Sequence, residues 1–280
     1  MIELLDLLFL GEEQLVGTYL LDLKEGLALV DPGPRTTLPT LEAALAELDL
    51  GVGDLRHLLL THIHFDHAGA AGALVAANPR LHVHVSEQGV PHLVEPERLE
   101  RSARRLYGEM FDILWGEVVP IPAENIEPVS ENVVGLECFP TPGHAVHHVC
   151  YMIDDGTLFA GDTTGVCWPP ERYVLPATPP PDVDLEAWHA SLDEIERRTP
   201  ASLALPHFGL VDEPREHLDS FRRRLMLWAE IVRRGASTRD FIDAVSRDID
   251  AETARASDLT DLLRHSYLGL KRYWHTVGTG

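Results

Sequence analysis

A chain of 280 residues with 45% hydrophobic content is long enough for one large domain with a sizeable core. Its formal net charge of -22 repels phosphate backbones and anionic membranes, which argues against nucleic acid or membrane as partner and leaves small molecules as the expected substrates. Cys138, Cys150 and Cys167 are widely spaced and form no C-x-x-C pair, so neither a disulfide framework nor a cysteine zinc cluster is expected. Acids at Glu3 and Asp6 stand where a signal peptide needs positive charge, and no apolar run approaches the roughly 20 residues of a membrane span. A cytoplasmic location is the expectation.

Along the chain, residues 4–30 read as short strands broken at Gly11 and Lys24-Glu25-Gly26 and ending in the turn Asp31-Pro32-Gly33-Pro34. Helical periodicity over 38–48 precedes an apolar strand at 57–61, a histidine-rich loop, an Ala-rich helix at 69–77 closed by Asn78-Pro79, and a strand at 81–85. Between 96 and 115, Leu99, Ala103, Leu106, Met110 and Leu114 recur at spacings of three and four, which predicts one or two amphipathic helices able to form a lid. Strands follow at 133–139, 148–153 and 157–160, then a Pro-rich loop at 176–181, a helix at 185–197 and a strand at 202–205. After His207 the chain reads as helical, with Leu218, Phe221, Leu225, Trp228 and Val232 on one face of a helix that stops near Gly235. Two further helices are predicted near 239–245 and 259–274. Alternating strands and helices followed by a helical tail make an α/β protein, divided as 1–212, with the lid at about 96–117, and 213–280.

The stretch His62-Ile63-His64-Phe65-Asp66-His67 packs three imidazoles and a carboxylate into six residues directly after an apolar strand. Such a loop points several ligands at one spot and is costly to fold without a metal. Three further candidates follow or end apolar strands: His144 in Thr141-Pro142-Gly143-His144, Asp162 in Phe159-Ala160-Gly161-Asp162, and His207 in Ala204-Leu205-Pro206-His207. Imidazole and carboxylate donors suit zinc first, with iron or manganese as alternatives. Two divalent metal ions about 3.5–4 Å apart would bring the pKa of a shared water toward 7, hold it as a metal-bridging hydroxide and polarise the oxygen of the bond it attacks.

The order His-x-His-x-Asp-His, Gly-His, Gly-Asp, His resembles the metallo-β-lactamase superfamily over residues from about 15 to 210. The resemblance implies a four-layer αββα sandwich with the ligands on loops at one edge. It implies that His62, His64 and His144 hold one metal, that Asp66, His67 and His207 hold the second, and that Asp162 bridges them. Asp31 resembles the family's structural acid, which braces the loop. Gly143-His144-Ala145 with His147-His148, Thr178-Pro179-Pro180-Pro181 and His207-Phe208-Gly209 are similar to a prokaryotic group near glyoxalase II.

These features point to a metal-dependent hydrolase of a small ester, thioester or lactone, with Asp66 as both ligand and proton shuttle. The alternative is a mononuclear iron sulfur or persulfide dioxygenase of the same fold using His62, His144 and Asp162; Asp66, His67 and His207 weigh against it by completing a second site. A metal-stabilised scaffold would instead show a closed ligand shell. A flavin-coupled di-iron reductase is disfavoured by His64. His82 and His84 read as a structural pair on one strand face, while His147 or His148 could hydrogen-bond near the site. Trp168, Tyr173, Tyr107 and Trp115 are candidates for a pocket wall, and Arg222, Arg223 and Arg224 read as a solvated face. Trp228, Tyr267 and Trp274 in the tail suggest a homodimer face.

Overall fold

The computed structural model describes residues 2–169, 173–249 and 259–278. Two six-stranded mixed sheets lie face to face. The first has the order β1 (Ile2–Asp6), β2 (Gly17–Leu23), β3 (Gly26–Val30), β4 (Leu55–Leu59), β5 (His82–Val85), β6 (Ile126–Pro128), antiparallel through β3 and parallel from β3 to β6. The second runs β12 (Gly209–Val211), β11 (Ser202–Leu205), β10 (Thr157–Phe159), β9 (Val149–Met152), β8 (Leu136–Pro140), β7 (Asn132–Val133), with only β10 and β11 parallel neighbours.

Strand alternation divides the apolar residues into three layers. Tyr19, Leu21, Ala28, Val30 and Leu59 of the first sheet meet Cys138, Tyr151, Phe159 and Ala204 of the second between the sheets. Leu20, Leu29 and Leu58 point outward beneath α1 (Leu38–Glu47), α2 (Phe65–Ala68), α3 (Ala71–Ala77), α4 (Val90–Val94), and the lid helices α5 (Glu97–Tyr107) and α6 (Phe111–Leu114). On the other side Phe139, Cys150, Leu158 and Leu203 are covered by α7 (Leu185–Arg198), α8 (Pro214–Arg233), α9 (Thr238–Asp248) and α10 (Thr260–Val277). The expected αββα architecture with C-terminal helices is present, and the tail helices share one continuous core with α7 and the second sheet.

Local signals explain the helix ends. Asp184 caps α7 by accepting from Ala187 N at 3.0 Å, and Trp188, Ser191, Leu192 and Ile195 form its buried stripe. Ser237 and Asp240 form a capping box on α9. Past the end of α8, Gly235 takes φ +86°, a left-handed conformation that suits a residue without Cβ.

Several expectations shift. The histidine-rich stretch is not all loop: α2 begins at Phe65, so Asp66 and His67 lie in a helical turn and the helix expected at 69–77 starts only at Ala71. The strand expected at 57–61 is Leu55–Leu59, which leaves Thr61 to His64 free to turn toward the site. Before the tail turns helical, β12 returns antiparallel on β11; a three-residue strand is too short for alternation to show. The lid stripe is Leu99, Ala103 and Tyr107, whereas Met110 is 47% exposed, because Gly108 at φ +56° ends α5 and breaks the periodicity.

The aromatic residues that suggested a homodimer face are used within the chain. Trp228 and Tyr267 are buried, and Trp274 donates from Nε1 to Ala229 O at 2.9 Å. Among the described residues no helix is long and apolar enough to cross a membrane.

Trp188 joins α7 to the site edge: it is fully buried, packs on Phe221 and donates from Nε1 to Thr163 O at 2.7 Å. Trp188→Ala should lower unfolding stability by about 3–5 kcal/mol in urea titration, and Trp188→Phe by about 1–3 kcal/mol because the Thr163 carbonyl loses its donor.

Candidate metal centre

All site residues follow strands that end at one shared edge of the two sheets. Asp31 follows β3, residues 62–67 follow β4, His144 follows β8, Asp162 follows β10 and His207 follows β11. Cross-sheet bonds hold the edge together: Val149 N donates to Thr61 O at 2.8 Å, Gly17 N to Pro206 O at 2.8 Å, the Tyr19 hydroxyl to Leu205 O at 3.0 Å and the Tyr151 hydroxyl to Leu60 O at 3.0 Å.

The seven expected ligands converge as two adjoining groups. His62, His64 and His144 form one; Asp66, His67, Asp162 and His207 form the other, with donor atoms in each within 4.8 Å of one another. In the first, His64 Nδ1 lies 3.0 Å from His62 Nε2 and 2.8 Å from His144 Nε2. In the second, His67 Nε2 stands 3.3 Å from Asp162 Oδ1 and 3.3 Å from His207 Nε2, and Asp66 Oδ2 is 3.5 Å from His207 Nε2. Asp162 faces both: Oδ1 reaches the second group while Oδ2 lies 3.5 Å from His144 Nε2.

Hydrogen bonds behind the rings choose which nitrogen faces inward. His67 Nδ1 meets Asp31 Oδ2 at 2.9 Å, His207 Nδ1 donates to Leu15 O at 2.8 Å, and His144 Nδ1 donates to Ala177 O at 2.8 Å. Each bond turns Nε2 to the centre, the arrangement seen behind metal-binding histidines. Asp31 also accepts from Thr61 N at 2.8 Å and Thr61 Oγ1 at 2.6 Å, as a bracing acid should. Of the two histidines after His144, His148 is the positioning one: its Nε2 accepts from Asp162 N at 3.1 Å, and Thr141 and Thr163 hydroxyls flank its Nδ1. His147 Nδ1 is only at the 3.5 Å limit from Ile63 N.

Burial, reinforced by the crowding of imidazoles, pushes His62 well below the usual histidine range and His64 down to about 3. Burial likewise lowers His144. The first group therefore presents neutral imidazoles, the protonation state a metal requires. At His67 and His207 burial also pulls downward, but Asp162 and Asp66 outweigh it and raise both. The Asp162 Oδ1 atom is buried, with His67 Nε2 at 3.3 Å and His207 Nε2 at 3.6 Å beside it but no well-formed hydrogen bond. A buried carboxylate oxygen without such a bond is costly, and a cation between the ring nitrogens and the two carboxylates would satisfy it. The donor set thus fits a binuclear metal site.

The aromatic candidates separate. Trp168 donates to Leu15 O at 3.0 Å and sits 6.5 Å edge-on from the His207 ring, beside the site. Tyr173 is committed to the tail, hydrogen-bonded to Asp248 beneath the Arg224 guanidinium. Trp115 is buried against Phe9. The Tyr107 ring is held edge-on by Trp115 at 5.3 Å and by His265 of α10 at 5.0 Å. Burial, with Asp66 and Asp162 adding to it, keeps its phenol protonated far above neutral pH. Arg222 pairs with Asp193 and Glu196 on α7. His84 is a buried partner of His57 at 3.0 Å, and the His82–His84 pair is remote from the seven-residue site in its contacts. His265 and the Leu15 and Ala177 carbonyls carry no sequence signal, because only the fold brings them here.

Comparison with known proteins agrees with this geometry. The signature of the Metallo-beta-lactamase superfamily matches residues 14–207. The chain is 28% identical over 181 residues to the metallo-beta-lactamase fold-containing protein ST1585 of Sulfurisphaera tokodaii, covering 59% of this chain and 65% of that protein. It is 31% identical over 140 residues to the hydroxyacylglutathione hydrolase of Cupriavidus taiwanensis, covering 49% of this chain and 44% of the relative. These curated relatives are thus matched over less than two thirds of their length. In three dimensions the metallo-beta-lactamase family protein TTHA1429 of Thermus thermophilus superposes with TM-score 0.72 at 23% identity, covering 99% of this chain and 94% of that one. With a family signature spanning most of the sequence and both ligand groups assembled at the expected edge, the chain belongs to the metallo-β-lactamase superfamily.

Proposed function

We propose that this chain is a binuclear metallohydrolase that cleaves a small ester, thioester or lactone. The observation that carries the reading is Asp162, whose two oxygens face the two ligand groups, so that both groups adjoin a single reaction volume. Bound divalent ions would supply Lewis acidity there, acidifying a water and polarising the carbonyl it attacks. His62, His64 and His144 would hold one ion; Asp66, His67 and His207 the other, with Asp162 shared.

The chain's own groups would do the rest. Asp66 has 26% of its side chain exposed, so it joins the second group to solvent and would take a proton from the attacking water and hand it to the leaving oxygen or sulfur. Tyr107 keeps its O–H across the working pH range. We assign that hydroxyl, whose phenol feels the charges of Asp66 and Asp162, as a donor to the oxygen on which negative charge develops as the carbonyl is attacked. Trp115 and His265 hold its ring in place.

The acidic chain favours small substrates over polynucleotides. The likeness to hydroxyacylglutathione hydrolase supports a thioester within the class, but the Arg222–Arg224 run provides no cation set for glutathione, since Arg222 and Arg224 are engaged with Asp193, Glu196, Asp248 and Tyr173.

The purified chain should contain two metal ions by elemental analysis and cleave members of a lactone and thioester panel equally well with and without oxygen. One iron per chain with oxygen consumption on a persulfide would instead make it a dioxygenase. His62→Ala and Asp162→Ala should each lose metal and activity while far-UV circular dichroism stays unchanged; full turnover in either would refute the ligand assignment. Tyr107→Phe should keep its metal and lose roughly 10²-fold in kcat/KM. Unaltered kinetics would show that the phenol does not touch the reacting oxygen.

A further inference from the structure

Among the inward-facing histidines whose outer nitrogen is bonded, His144 depends on the C-terminal tail. Its acceptor, Ala177 O, begins a loop fastened residue by residue to α10. Thr178 N donates to Ser266 Oγ at 3.4 Å, and the Thr178 hydroxyl donates to Ser266 O at 3.1 Å; both residues are buried. Three residues along the same helix, Gly269 lies against this loop so closely that a Cβ there would stand 2.0 Å from Thr178 O, 2.9 Å from Pro179 C and 3.0 Å from Pro180 N. Arg272 Nε then donates to Pro181 O at 3.3 Å. Residues 266, 269 and 272 recur at the spacing of one helix face, so α10 presents a continuous clamp to residues 178–181.

Among the described residues the second ligand group makes no such contact with α10, and the tail helix that reaches it is α8, where His217 Nε2 donates to Thr164 O at 2.8 Å. His67 is oriented by Asp31 and His207 by Leu15 O, both anchored beside the first sheet, and Asp162 by His148. His62 leans on its neighbour Thr61 at 3.1 Å.

We propose that Gly269 and Ser266 of α10 are positioning residues for His144, so that the tail helix sets the metal affinity of the His62–His64–His144 group and leaves that of the other group unchanged. Gly269 is required for space: its backbone is helical, and any larger residue drives the loop outward. Moving Ala177 O away frees the His144 ring to rotate and removes the bond that keeps its proton on Nδ1. The inference rests on the metallohydrolase reading, and titration of the unaltered chain separates the two.

The full-length metal-free chain is titrated with Co²⁺ against a competing chelator, alongside Gly269→Ala, Ser266→Ala and, as a control on the exposed face of the same helix, Leu268→Ala. Two sites are expected in the unaltered chain and in Leu268→Ala. In Gly269→Ala one site should weaken by about 10–100-fold and the other stay unchanged, with a smaller selective loss in Ser266→Ala. In the metal-free state, the His144 Nδ1–H resonance should exchange faster with water in Gly269→Ala. Equal affinities at both sites with an unaltered His144 resonance, or parallel weakening of both sites, would overturn the proposal. If Gly269→Ala does not fold, Ser266→Ala decides by the same two readouts. An unaltered chain that binds no ion at the first group refutes the metal reading itself and this inference with it.

Discussion

At the end of β3 the chain turns through Asp31, at φ +52°, and buries a carboxylate between two loops. Thr61 N, Thr61 Oγ1 and His67 Nδ1 all converge on it. Those contacts hold the segment leaving β4 against the end of β3 and turn His67 so that Nε2 faces Asp162. Without that charge, the backbone N–H of Thr61 would be buried without its acceptor, and the short helix carrying Asp66 and His67 would have no fixed bearing on the second sheet. The geometry of both ligand groups follows from this brace, because His62 and His64 leave the same loop one and three residues after Thr61.

What the brace assembles is electrostatically incomplete without a cation. Five imidazoles crowd one edge of the sandwich, and burial keeps the first group neutral. Asp66 and Asp162 bring negative charge, and one oxygen of Asp162 has no well-formed hydrogen bond. Burying such a cluster is costly, and ions held between its donors would offset that cost, which would link folding of the site to metal binding. The same arrangement serves chemistry: the imidazoles of the first group, neutral and aimed inward, need no rearrangement to accept a metal, and Asp66 keeps one edge open to solvent.

The helical tail takes part in positioning the site. It buries Leu263, Tyr267 and Leu270 in the core over the second sheet, and through Ser266 and Gly269 it fastens the loop behind His144. Through His265 it also meets Tyr107 of the lid. Residues 97–114 and the tail, far apart in the chain, thus meet where the rings of Tyr107 and His265 pack edge to face.

The seven candidate ligands were legible in the sequence because metal chemistry demands particular residue types at short spacing: His62, His64, Asp66 and His67 stand within six positions, and His144, Asp162 and His207 each follow an apolar strand. The alternating and helical periodicities likewise revealed most strands and helices, since burial of one face imposes a period. Tertiary structure decided what has no local signature. The register that sets β4 between β3 and β5, the cross-sheet bonds through Tyr19 and Tyr151, and the carbonyls of Leu15 and Ala177 behind His207 and His144 depend on residues distant in the chain. Any residue has a backbone carbonyl, so a carbonyl acquires a role only when the fold places it. For the same reason Gly269 reads as an ordinary helix-interior glycine until the Thr178 loop is seen against it. The tail aromatics read as a face for a second copy until α8, α9 and α10 are seen packed together. Residue type and spacing thus determined which groups could hold metal, while packing of distant segments determined which nitrogen each presents and what keeps it there.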